Sequence, residues 1–110
     1  MGINYQVHRA AVNAAKGVRQ FQKADKALTN DKVDSAVNHL NKGLKDFALA
    51  LDHLANAEDD AYTKAGNEID KGNQQLSKSI DEFSAGNLES AQSHYDKALE
   101  KYDQALDLLD

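Results

Sequence analysis

Apolar residues recur along this chain in alternating steps of three and four, the signature of helices buried along one face. Val7, Ala11, Ala14, Val18, Phe21 and Leu28 mark a first helix from about Asn4, a good N-cap, to Leu28, with Asp25 breaking the stripe. Thr29-Asn30-Asp31 supplies turn and cap chemistry. Val33, Val37, Leu40, Leu44, Phe47, Leu51 and Leu54 then fill every core position of a second helix over roughly 31–55. A third, from about Asp60 to Phe83, rests on Tyr62, Ile69, Leu76, Ile80 and Phe83, with Gly66 and Asn73 interrupting it. Ser84-Ala85-Gly86-Asn87 reads as a C-terminal glycine followed by an N-cap. The fourth helix carries Leu88, Tyr95, Leu99, Tyr102, Leu106 and Leu109, with Gln92 in its stripe.

The pattern occurs twice. At an offset of 55 residues, Ser35, Ala36, His39, Lys42 and Leu44 return as Ser90, Ala91, His94, Lys97 and Leu99. The same offset maps Ala10, Lys16, Gly17, Gln20 and Lys23 onto Ala65, Lys71, Gly72, Gln75 and Lys78. The duplicated unit is therefore a helical hairpin, one over about 3–55 and the other over about 58–110. Two hairpins, each apolar along one face, bury those faces against each other. The expected fold is all-α: an antiparallel four-helix bundle forming one domain over 1–110. The alternative is a single helix through 31–84, since the offset is five elevens; it would push the outer arms into a swapped dimer. Asn56 and Asp59 offer caps for a new helix, which favours the turn.

With the stripe positions labelled a and d, the adjoining g position is small on every helix: Ala10, Gly17, Ala24; Ala36, Gly43, Ala50; Ala65, Gly72, Ser79; Ala91, Ala98, Ala105. Helix propensity explains the alanines. Mid-helix glycine costs about 1 kcal/mol against alanine, so Gly17, Gly43 and Gly72 point to close packing between helices.

Composition narrows the function. A net charge of −5 argues against a general nucleic-acid or anionic-membrane binder. With no cysteine there is no disulfide framework, thiolate metal site or cysteine nucleophile. No apolar run approaches a membrane span. A bare Met1-Gly2 ahead of a helical pattern reads as the start of a trimmed chain, so an upstream export signal and the compartment stay open.

Of the four histidines, His39, His53 and His94 fall at position c, beside the core, and His8 at e. None has a His, Asp or Glu three or four residues away on its helix, which excludes the Glu-x-x-His metal sites of bundles. A haem needs inward axial ligands, and the only methionine is Met1. Neither metal nor cofactor is expected. No phosphate loop, G-x-S-x-G, H-E-x-x-H or Ca-loop pattern is present, and no enzyme is expected.

Asn73 and Gln92 sit in the stripes of the second hairpin, where the first has Val18 and Val37, and Tyr95 and Tyr102 offer hydroxyl partners. Any ligand pocket is therefore expected near Asn73, Gln92, His94 and Tyr95. The bland reading makes the two amides register-setting core residues.

Gly86, Ala91, Tyr95 and Ala98-Leu99 resemble the second helix of a tetratricopeptide repeat, over 15 residues. Gln75, Lys78, Ser79 and Glu82 depart from that family on the preceding helix, and the 55-residue repeat is not its 34. The likeness is one of packing chemistry. The leading expectation is a non-catalytic module that binds a protein partner or another copy of itself; a ligand- or cofactor-binding bundle is the alternative.

Overall fold

Asn4 caps the first helix as its chemistry dictates, its side-chain oxygen accepting from the amides of Gln6 at 3.1 Å and Val7 at 3.4 Å. The computed structural model describes residues 4–109; the Met1-Gly2 start and Asp110 lie outside them. The helices are α1 (Tyr5–Thr29), α2 (Val33–Ala57), α3 (Thr63–Ala85) and α4 (Leu88–Leu109).

Both hairpin turns close the same way. Asp31 adopts φ 56° and Gly86 φ 85°, each in the left-handed region, and they are equivalent at the 55-residue offset. In each case the next amide reaches back to satisfy a terminal carbonyl: Lys32 N to Ala27 O at 2.8 Å, and Asn87 N to Glu82 O at 2.9 Å. Because Asp31 belongs to this turn, α2 begins at Val33 rather than at 31. Only glycine enters that region without a Cβ penalty. Asp31→Gly is therefore expected to stabilise the fold by about 0.5–1 kcal/mol, raising Tm by a few degrees in a thermal melt.

Between the hairpins the chain turns instead of running on. Glu58 is left-handed at φ 52°, and a single 3-10 turn (Asp60–Tyr62) follows, with the Asp59 carboxylate accepting from the Ala61 amide at 3.0 Å. The third helix accordingly starts at Thr63, three residues later than the pattern suggested. The result is an up-down-up-down bundle with extents of 49 × 19 × 18 Å. Within it α1 packs on α2, α3 on α4, and α2 on α3.

The core differs from the expected a/d arrangement in one respect. All twelve g positions are buried, and most d residues with them. Position a lies at the margin: Val18, Val37, Leu44, Leu51, Asn73, Leu99 and Leu106 are half-buried, while Ala11, Asp25 and Gln92 are exposed. Ile80 is the buried exception. Small g residues let the two helices of a hairpin close on that edge, which turns each a column outward toward the seam with the other hairpin. Leu88, placed in the stripe by its spacing, is exposed at the start of α4.

The glycines in the g columns house aromatic rings. A Cβ on Gly17 would stand 2.6 Å from the Phe47 ring, one on Gly72 2.6 Å from Tyr102, and one on Gly43 would collide with the Phe21 ring edge. Phe21, Phe47, Tyr95 and Tyr102 then meet at mid-bundle. Phe47 stacks on Tyr102 at 3.9 Å and on Phe21 at 5.6 Å, and Tyr95 meets Phe21 edge-on at 6.1 Å.

Candidate functional site

Three of the four histidines are used between helices, while His8 is exposed on α1. His39 Nδ1 donates to Gln20 Oε1 at 2.9 Å and, one repeat later, His94 Nδ1 to Gln75 Oε1 at 2.8 Å. His53 Nδ1 donates to Gln6 Oε1 at 2.7 Å. An amide oxygen facing the ring requires the proton on Nδ1. All six residues occupy c positions, which face each other across a hairpin. Glu68 and Lys101 form a further c–c rung at 3.6 Å, with Lys71 at 3.4 Å from the same carboxylate. His39, His53 and His94 thus belong to two polar ladders that close the outer edge of each hairpin. His39→Ala and His94→Ala are each expected to cost about 0.5–1.5 kcal/mol in chemical denaturation and to add when combined.

The four residues singled out as pocket candidates take separate partners. Asn73 Oδ1 accepts from the Tyr102 hydroxyl at 2.6 Å. Gln92 is exposed and donates to Asp96 at 2.9 Å on its own helix. His94 is held by Gln75, on the hairpin's outer edge. Tyr95 is buried, its hydroxyl donating to Asp25 Oδ1 at 2.8 Å and lying 3.2 Å from the Phe21 carbonyl. No described cleft is lined by any two of the four.

Burial pushes both tyrosine hydroxyls well above the ordinary value near 10, and at Tyr95 the hydrogen bond and charge of Asp25 raise it further. A raised folded-state pKa gives stability that is complete below the ordinary value. It is lost as pH climbs above it, because only the unfolded phenols then ionise. Unfolding free energy should therefore fall with pH above about 10. Tyr95→Phe and Tyr102→Phe should each flatten that slope, read by denaturation titrations against phenolate absorbance.

The two seams between the hairpins are unequal. Along α2–α3 the helices lie close, with Gly66 opposite Leu51. Along α1–α4 they approach much less closely. There Phe21, Tyr95 and Tyr102 bridge the core level, and above them an open cleft of about 480 Å³ remains. Its apolar floor is Val18, Leu99 and Leu106 over the Phe21 and Tyr102 rings, and its walls carry Asp25, Asp96, Glu100 and Asp103. No Lys or Arg lines it. A second cleft, about 490 Å³, lies at the α2–α3 turn beside Leu51, Tyr62 and Gly66, where Glu58, Asp59 and Asp60 belong to the turn itself.

Sequence reasoning did not single out the α1–α4 seam. The usable signal was the pair of polar breaks: Asp25 and Gln92 stand at a positions of α1 and α4, the two helices that flank it.

Among the described residues no group of three or more His, Asp or Glu side chains is placed to hold a metal ion, and no helix is long and apolar enough to cross a membrane. Compared with known family models, curated proteins and solved structures, the chain matches none.

Proposed function

We propose that this chain is a non-catalytic interaction module, a stiff four-helix scaffold that docks a protein partner or another copy of itself on its α1–α4 seam. The observation that carries the reading is the inequality of the seams. Along α2–α3 the helices lie close and a cleft opens at the turn end, whereas along α1–α4 they part and leave Val18, Leu99 and Leu106 half-buried above a filled aromatic layer. Half-buried apolar floors with polar walls are what docking surfaces share. The polar side chains between helices support it too, since His39, His53, His94, Asn73 and Tyr95 are engaged in holding helices together.

A photo-crosslinking amino acid at exposed Asp103, on the seam wall, tests this in the organism that makes the protein. An adduct is expected from position 103 and not from exposed Asp52 on α2. Absence of any adduct from position 103, homomeric or heteromeric, refutes the module.

A further inference from the structure

We infer that the occupant of the α1–α4 seam is a cationic amphipathic helix of a partner protein. This rests on the interaction-module reading and specifies its partner. The walls of the seam are themselves helices, whose backbone amides and carbonyls are bonded internally. An extended peptide laid there would leave its own backbone groups without partners against an apolar floor, whereas a helix brings them already paired. Leu99 and Leu106 stand one heptad apart on the floor with Val18 opposite, a row that takes apolar side chains from one face of a helix.

Charge then selects among helices. Asp96, Glu100 and Asp103 follow each other at spacings of four and three along α4, and Asp25 faces them from α1. Gln92 and the Tyr95 hydroxyl each donate to one of these carboxylates, Asp96 and Asp25. Among the described residues none of the four has an ion-pair partner; the pairs present join Glu68 to Lys71 and Lys101. Four carboxylates around one cleft, with no cation lining it, repel an acidic partner and attract Lys and Arg flanking an apolar stripe. A second copy of this chain carries a net charge of −5 and is the poorer match.

The test titrates the 110-residue chain with a synthetic helical peptide of leucine and lysine, Leu on one face. Controls are a scrambled peptide of the same composition and a version with Glu for Lys. Saturable one-to-one binding is expected for the amphipathic cationic peptide alone, with NMR shifts on α1 and α4. Asp96→Asn with Asp103→Asn should weaken it about tenfold, the sum of two modest charge contacts. Asp52→Asn with Asp81→Asn, an equal charge change at exposed sites away from the seam, should change it less than twofold. All four are exposed positions, so the variants keep the fold. Three results overturn the inference: equal binding of the scrambled peptide, equal weakening by the control pair, or shifts mapping elsewhere. Sedimentation showing self-association that Asp96→Asn with Asp103→Asn abolishes would also overturn it, because the occupant would then be a second copy. In each of these cases an adduct from position 103 would leave the module standing while its partner chemistry fell.

Discussion

Phe47→Ala should destabilise the bundle by about 3–5 kcal/mol, the range for emptying a buried aromatic site. Phe47 is fully buried and packs against both the Tyr102 ring at 3.9 Å and the Phe21 ring at 5.6 Å, with Gly17 beside it. Alanine would leave that hollow without any side chain able to fill it, because the facing g residue has none. A domain of this size has about 5–15 kcal/mol in total, so the loss is a large share of it. Urea denaturation reads the effect; a loss under about 1 kcal/mol would mean the core closes over the gap. Phe47→Tyr tests the same site by chemistry. Its counterpart Tyr102 donates to Asn73, but the counterpart of Asn73 is Val18, so a hydroxyl at 47 has no equivalent acceptor. That change should cost about 1–3 kcal/mol.

Much of this architecture was legible. The stripes located four helices, the 55-residue offset showed that they come as two hairpins, and cap chemistry put breaks near residues 30, 58 and 86. What escaped was rotation. An a/d stripe says which side of a helix is apolar, yet the small g column decides which edge of that side reaches the neighbouring helix, and it moved the core toward g and d. The same rotation set the c positions face to face. Gln20 and His39 recur at the 55-residue offset as Gln75 and His94, each Gln 19 residues before its His, but pairing them requires knowing that c faces c.

The seam was harder still to foresee. Whether α1 and α4 meet depends on how one hairpin sits on the other, and no local pattern encodes that. Asp25 and Gln92 read as flaws in two stripes; in the folded chain both are exposed on the two helices that bound the open face. Asn73, the third break, is different. It is half-buried and its amide oxygen accepts from the Tyr102 hydroxyl on the neighbouring helix. All three polar residues in the stripes are hydrogen-bonded, and what separates them is exposure: Asn73 is half-buried, while Asp25 and Gln92 are exposed where the hairpins part.

The largest test of how the rings and glycines fit is a double-mutant cycle that gives the first hairpin the residues of the second. In the first hairpin Phe21 occupies the space above Gly43; at the equivalent positions the second has Leu76 and Ala98, a smaller side chain facing a larger one. Gly43→Ala alone should cost about 1–3 kcal/mol by overpacking, even though alanine is worth about 1 kcal/mol more than glycine in a helix. The Phe21 ring cannot swing aside, since Phe47, Tyr95 and Tyr102 hold it on three sides. Phe21→Leu alone should also destabilise, by leaving space unfilled. Together the two should cost less than their sum by about 1 kcal/mol or more, because the methyl enters the space the ring gives up. Strict additivity in denaturation would mean that Gly43 is small for some reason other than the ring. It would also detach the divergence of the two hairpins from their packing, leaving Leu76 and Ala98 as unrelated changes.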